Sequence, residues 1–377
     1  MERSSIRYRA AVLGATGIVG RRLVGLLKSH PWFEIGALCA SGARTGRSYR
    51  EVVGGLWEDR DGAGPPDVPL LSGRPEEIDA DVVFSALETG AAASAEPLFR
   101  KAGFPVVTNA SPFRMDPEVP LVVPEINAGH LVLADLQRRR RGGFIAANPN
   151  CSTIGLCLAL EPIRLAFGLE RVDVTTLQAL SGAGHPGIPS LDILDNVLPF
   201  IRNEEEKLEQ EPNKIFGRAV RGRVRPSALE LTAQCNRVPV REGHLLSVQV
   251  ETLRLLSHRA AVKAFENYRS PLAGIGLPSA PERPVLLSEE EDRPQPLLDR
   301  GASAGMAVTV GRLRTHGHRC LRFVALVHNT VRGAAGGTLL LAELLASTGR
   351  LSQRRLPVKS RGARRVIRAL DSGRSAP

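Results

Sequence analysis

The chain has 377 residues, 43% of them hydrophobic, five cysteines and a formal net charge of +11, a length that suits two domains. No stretch approaches the roughly 20 uninterrupted apolar residues needed to span a bilayer. The cysteines (Cys39, Cys151, Cys157, Cys235 and Cys320) are odd in number and widely spread, which speaks against a disulfide scaffold or a CxxC metal site and for free thiols in a reducing cytoplasm. The N-terminal "MERSSIRYRAAVLGATGIVG" is basic and then apolar, but Gly14 and Gly17 interrupt the run and no small-residue cleavage site follows. No signal peptide is therefore expected.

"YRAAVLGATGIVGRRLVGLLKSH" predicts a strand ending near Leu13, a glycine turn, and a helix with Ile18, Val19, Leu23, Leu26 and Leu27 on its apolar side. "PWFEIGALCAS" is a second strand, and 79–87, 105–111 and 120–127 are further short strands, with a helix over 92–103. Apolar strands alternating with helices predict an α/β fold with a doubly wound parallel sheet of Rossmann type. The four arginines 138–141 suggest an exposed loop.

After Cys151 the pattern lengthens and alternates. "RVDVTTLQAL", "LTAQCNRVPV", "LLSVQVETLRLL", "MAVTVGRLR" and "LRFVALVHNTV" predict strands of a mixed sheet in a second, α+β domain. "SLDILDNVLPFIRNEEEKLEQEPNKIF" and "SHRAAVKAFENYRS" supply helices, the Pro-rich 274–296 is expected to be loop, and 336–348 is a final helix. The expected division is 1–150 with 333–350 for nucleotide binding, 151–332 for catalysis and dimerisation, and a basic tail over 351–377. From Arg350 onward nine Lys or Arg face one acid, Asp371. Most of the net charge thus sits on a solvated appendage, and nucleic acid is not the expected partner.

Gly14, Gly17 and Gly20 form GxxGxxG between a strand and a helix. Glycines there let the backbone approach a pyrophosphate at the positive end of the helix. Ala15, Thr16, Ile18 and Val19 complete that turn. An acid at the end of the second strand would hold the 2′-hydroxyl of NAD. The chain instead has "CASGARTGRSY", where Ser41 and Arg44 suit the extra phosphate of NADP. In "AANPNCSTIGLCLALEPI", Pro149 and Asn150 disfavour helix before Cys151, and Ile154, Leu158 and Ile163 follow at roughly helical spacing. The sulfur is expected at a helix N-terminus, where the macrodipole and free N–H groups lower a thiol pKa. His244 is expected to titrate near neutral pH and to shuttle a proton.

"GATGIVG", "NPNCST", "TLQALSGAGHPGIPSLDILDN", "NRVPVREGH" and "NTVRGAAGGTLLLAE" together resemble the aspartate-β-semialdehyde dehydrogenases of archaeal and fungal type, from about residue 8 to 350. Archaeal-type malonyl-CoA reductases share the likeness, and N-acetyl-glutamyl-phosphate reductases do so more distantly. The resemblance implies NADPH-dependent reduction of L-aspartyl 4-phosphate to aspartate semialdehyde and phosphate, in aspartate-family amino-acid biosynthesis, by a homodimer or homotetramer without a metal. It implies Cys151 as nucleophile, Gln178 as the glutamine that orients substrate and His244 as acid/base. Arg114 and Lys207 match phosphate anchors, Asn150 adjoins the nucleophile, Glu204 suits the ammonium and Arg237 the α-carboxylate. Ser181, Gly182 and Gly184 resemble a loop at the nicotinamide end, and Asn329 and Gly333 late cofactor contacts. His185 stands where an aromatic residue is expected. Two alternatives remain open at this point: an acyl-CoA (malonyl-CoA) reductase or other acyl-phosphate reductase on the same scaffold, and an NADP-binding regulatory protein.

Overall fold

The computed structural model describes residues 7–58 and 62–352; the basic tail beyond 352 lies outside the described residues. Six parallel strands form the first sheet: β1 (Tyr8–Leu13), β2 (Phe33–Cys39), β3 (Leu70–Leu71), β4 (Val82–Ser85), β5 (Pro105–Thr108) and β6 (Phe144–Ala147), in the order β3-β2-β1-β4-β5-β6. Strands β4 to β6 are buried at every residue, as expected of a sheet covered by helices on both faces. Helix α1 (Ile18–Leu27) follows β1, α2 (Thr89–Lys101) follows β4, and α3 (Val132–Arg141) leads into β6. Strand order reverses between β1 and β4, so the crevice for a ligand opens beyond the carboxyl ends of those two strands.

Local sequence misleads at several points. The four arginines 138–141 are the last turn of α3, not a loop. Cations are stabilised at a helix C-terminus, and Arg140 and Arg141 both pair with Glu118. Of the predicted strand 120–127, Leu121 makes a single bridge to Ala147, and Pro124–Asn127 is a helical turn, because proline is preset for the first helical position. The C-terminal end of "LRFVALVHNTV" leaves the sheet after Val327, and Val331–Ala335 form a π-helical turn.

Helix α4 (Cys151–Phe167) is buried at every residue from Ser152 to Ile163. A helix apolar on all sides belongs in the interior. It joins inward residues of the first sheet (Ala11, Val83, Ile145) to those of the second (Val172, Leu246, Phe323) in one core. The second sheet is mixed, ordered β10-β7-β11-β14-β13-β12. It comprises β7 (Arg171–Gln178), β10 (Glu230–Arg237), β11 (His244–Glu251), β12 (Val285–Leu287), β13 (Val308–His316) and β14 (Cys320–Val327). A separate hairpin pairs β8 (Arg218–Val220) with β9 (Arg223–Arg225). Strand β12 lies in the segment expected to be loop; it is recruited by parallel pairing with β13, a long-range contact that leaves no local signal. The 190–216 segment is a single turn at Ser190–Ile193 and then helix α5 (Glu204–Ile215). Between them Asp195 and Asn203 are left-handed and Pro199 intervenes, all unfavourable to a continuous helix. Helix α6 (His258–Asn267) packs on β12 and β13. Helix α7 (Gly336–Ser347) returns to the first sheet, burying Leu339, Leu340 and Leu344 in the core that holds Ala10 and Val12.

The turn before α7 is anchored by an ion pair between Arg332 and Glu125 at 2.6 Å, each side chain 1% exposed. Breaking a buried pair strands a charge, so Glu125→Ala is expected to destabilise the protein by about 3–5 kcal/mol. A thermal melt measures it; an unchanged midpoint would contradict the placement.

Candidate active site

The glycine turn divides into residues that shape it and residues that face the cleft. Gly14 has φ +72°, and a Cβ there would lie 2.7 Å from the Ala86 carbonyl oxygen; one on Gly20 would lie 2.2 Å from that of Gly14. Ala15 is buried, its N–H donating to Cys39 O at 3.0 Å. These three positions build the turn, while Thr16, Gly17, Ile18 and Val19 line a cleft of about 720 Å³, a volume suited to a cofactor. Arg44 reaches the same wall and donates to Thr16 Oγ1 at 3.0 Å. Ser41 precedes the short helical turn Gly42–Arg44 and is not part of the cleft lining. The N-terminus of α1, the close backbone packing and a guanidinium at the end of β2 fit a dinucleotide carrying a further phosphate.

Cys151 opens α4 from the cleft wall, half-buried, with Asn150 as N-cap. Asn150 Oδ1 accepts the N–H groups of Ser152 and Thr153 at 2.9 and 3.1 Å. Two of the first-turn N–H groups expected to stabilise the sulfur are therefore already used. Burial pushes the Cys151 thiol up to about 12, the Glu204 carboxylate adds to this, and Arg114, Arg237 and Lys207 pull the other way. The structure thus corrects the expectation of a lowered pKa: without a ligand, desolvation wins. A Cβ on Gly333 would fall 2.6 Å from Cys151 Cβ, so Gly333 admits the Cys151 side chain by lack of bulk.

Around the thiol the polar groups are locked. The period of two along β7 turns Gln178 inward with Val172, Val174 and Thr176. Gln178 accepts from Thr176 Oγ1 at 3.0 Å and donates to Glu204 Oε1 at 3.0 Å. Glu204 also accepts from Asn150 Nδ2 at 2.8 Å and from Lys207 Nζ at 3.1 Å. Burial works against its charge, but Lys207 and the two amides hold its pKa below the usual carboxylate range. Arg237, buried at the end of β10, donates to Ala179 O at 2.7 Å. His244 is fully buried, and its Nδ1 accepts the Ala179 N–H at 3.0 Å. A backbone N–H can only donate, so the neutral ring carries its proton on Nε2, an atom with no hydrogen-bond partner. A Cβ on Gly182 would lie 3.3 Å from His244 Nε2 and 3.0 Å from an Arg237 nitrogen, placing both groups beside the Ser181–Gly184 wall of the cleft. Burial, helped by Arg237, pushes the His244 pKa down to about 3, well below the near-neutral value expected.

Asn329 ties these parts together: Oδ1 accepts from Gly243 N at 2.9 Å and Nδ2 donates to Ser181 Oγ at 2.8 Å. Gly184 and the exposed His185 line the outer cleft. Arg114 lines it too, donating through Nη1 to Glu211 at 3.1 Å and through Nη2 to Asn109 O at 2.7 Å, while its Nε has no partner. Glu211 is the main residue that sequence reasoning missed. Its only local signal is a spacing of seven from Glu204, two turns along one helical face; its burial beneath a highly charged helix is a tertiary fact. Among the described residues no group of three or more His, Cys, Asp or Glu stands where a metal ion could be held.

A parallel dinucleotide-type sheet joined to a cysteine-centred, cation-lined cleft defines a class of nucleotide-dependent enzymes that work through a thiol. The comparisons narrow the class. Residues 9–134 match the semialdehyde dehydrogenase NAD binding domain, and residues 160–332 match the semialdehyde dehydrogenase dimerisation domain. The chain is 47% identical to an aspartate-semialdehyde dehydrogenase of Archaeoglobus fulgidus, over 90% of this chain and 98% of the relative. It is 38% identical to a malonyl CoA reductase (NADP) of Metallosphaera sedula, over 92% and 99%. The structure superposes on aspartate semialdehyde dehydrogenase from Candida albicans, solved with NADP, with a TM-score of 0.84, 36% identity and coverage of 91% and 99%. The chain belongs to the semialdehyde dehydrogenase family.

Two outcomes follow from the geometry. Below the thiol pKa each pH unit multiplies the reactive thiolate about tenfold. Iodoacetamide labelling of Cys151 in the ligand-free protein, followed by peptide mass mapping, is therefore expected to keep rising steeply from pH 7 to 9, and a plateau below pH 8 would show that the helix end prevails over burial. Gly333→Ala is expected to displace the sulfur and lower kcat about a hundredfold, and to cost about 1–3 kcal/mol of stability by overpacking, read from phosphate-dependent turnover and a thermal melt.

Proposed function

We propose that the chain is an NADP-dependent aspartate-semialdehyde dehydrogenase, which reduces L-aspartyl 4-phosphate to L-aspartate 4-semialdehyde and phosphate in aspartate-family amino-acid biosynthesis. The observation that carries this reading is the convergence on one cysteine of three cations and one carboxylate: Arg114, Arg237 and Lys207 with Glu204. An acyl phosphate of an α-amino acid presents two anionic ends and one ammonium, and this set is complementary to it.

In the proposed sequence the Cys151 thiolate attacks the acyl carbon. The carbon–oxygen bond to phosphate breaks, and a thioester remains on the protein. Arg114 and Lys207, which both line the cleft, take the phosphate. Arg237 takes the α-carboxylate. Glu204 takes the ammonium, which cancels the charge that raises the thiol pKa. When bound, NADPH supplies the hydride that reduces the thioester carbon. His244, neutral with its proton on Nε2, is the residue we assign to proton handling. Its N–H is suited to the oxygen that gains negative charge at each tetrahedral stage. Departure of the sulfur then frees the aldehyde. Gln178, fixed at both ends of its amide, holds the approach to Cys151.

The proposal includes a nucleotide unit of residues 1–150 and 333–350, a catalytic and dimerisation unit of 151–332, a homodimeric or homotetrameric assembly, and a cytoplasmic setting. The match to a dimerisation domain supports the assembly. Among the described residues no helix is long and apolar enough to cross a membrane.

The expected result is NADP reduction with aspartate semialdehyde that depends on phosphate or arsenate. Cys151→Ala is expected to lower kcat about 10⁴-fold or more while NADP binding persists. Turnover of malonyl-CoA without any response to aspartate semialdehyde and phosphate would overturn the substrate assignment and favour the acyl-CoA reading.

A further inference from the structure

We propose that Glu211 is a positioning residue that couples the anion-holding Arg114 to the nucleophile. The proposal rests on the assignment of Arg114 as the phosphate anchor. The Glu211 side chain is 2% exposed in its pair with Arg114. Oε1 accepts from Arg114 Nη1 at 3.1 Å, and Oε2 accepts from the backbone N–H of Asn150 at 2.7 Å. One carboxylate therefore holds the guanidinium that faces the cleft and the N-cap residue of the helix that starts at Cys151.

The surroundings make this linkage stiff. Lys214, nearly one turn beyond Glu211 on α5, donates to the Asp116 carbonyl at 2.6 Å and also to the Arg114 carbonyl at 2.5 Å. Helix α5 thus grips the Arg114 segment by both side chain and backbone. Two turns before Glu211, Glu204 accepts from the Asn150 side chain. Asn150 is held by its backbone N–H and by its amide, from two acids seven residues apart on the same helix. A buried ion pair contributes little to stability over apolar packing, so stability alone does not account for burying this one. Its geometry accounts for it: Glu211 holds the Arg114 guanidinium aimed at the cleft, and an anion that engages Arg114 pulls on the same carboxylate. The change in that carboxylate then reaches the residue covalently bonded to Cys151. By linkage, thiol geometry and anion affinity shift together.

The test uses the full chain, inorganic phosphate and iodoacetamide, without substrate. In wild type, phosphate is expected to slow Cys151 labelling in a saturable way. Glu211→Gln keeps an acceptor for the Asn150 N–H but loses the charge that fixes Arg114. It is expected to raise the phosphate midpoint about tenfold and to change the phosphate-free labelling rate about threefold, with NADP binding retained as the sign of an intact fold. In turnover the same variant is expected to raise KM for phosphate and lower kcat together. A shift in the midpoint alone, with labelling and kcat unchanged, would make Glu211 a mere counterion and overturn the coupling. No shift in either would also overturn it. If Glu211→Gln fails to bind NADP, Glu211→Asp carries the same two readouts, since its shorter side chain keeps the charge but cannot span both partners. Lack of phosphate protection in wild type would sink the anion site and the coupling with it. Lack of turnover with intact, phosphate-sensitive labelling would sink only the assigned substrate.

Discussion

Asn150 caps the helix that carries the thiol, and every polar group it offers to that helix and to α5 is satisfied inside the protein. Its Oδ1 takes two first-turn N–H groups, its Nδ2 goes to Glu204, and its own N–H goes to Glu211. Each such group, if buried and unpaired, would cost about 1–3 kcal/mol. The cap therefore admits one arrangement, and Cys151 inherits its position. From the other side Gly333 presses against the Cys151 Cβ without a side chain. The sulfur sits between a hydrogen-bonded wall and a steric one.

This arrangement has an electrostatic consequence. The cap takes the Ser152 and Thr153 N–H groups, so the thiol state rests on burial and on Glu204, Arg114, Arg237 and Lys207. Without ligand, burial and Glu204 prevail over the three cations. A ligand that pairs with Glu204 tilts the balance toward thiolate, which ties the reactivity of Cys151 to an occupied cleft. His244 follows the same logic. Burial and Arg237 keep it neutral, and the Ala179 N–H decides which nitrogen bears the proton. It is poised as a fixed donor, and it is ill placed to accept a proton at rest.

Helix α5 is where the two sheets' contributions meet. Glu204 and Lys207 face Cys151, while Glu211 and Lys214 hold Arg114 and its backbone. A helix with five Glu and two Lys in twelve residues would ordinarily be a solvated surface element. Here Glu204, Glu211 and Lys214 are all buried. Their burial is tolerated because each ionised group has a partner, the condition under which interior charge survives.

Much was legible in the linear chain. The glycine turn between strand and helix, the parallel pattern of the first sheet, the alternation of the second, and the positions of Cys151, Gln178, Glu204, Arg237 and His244 all follow from local rules or from short motifs in fixed order. These features depend on neighbours in sequence: backbone freedom at Gly14, the helical spacing after Cys151, the period of two along β7. Tertiary structure alone decided the rest. It put β12 in the sheet, ended the helix expected before α5, made the arginines 138–141 a helix terminus, buried Glu211 against Arg114, and set the Cys151 thiol high and the His244 imidazole low. The physical reason is common to these cases. Desolvation, ion pairing and sheet recruitment depend on what lies across the fold, often about twenty to a hundred residues away, and residue type and spacing do not encode those distances.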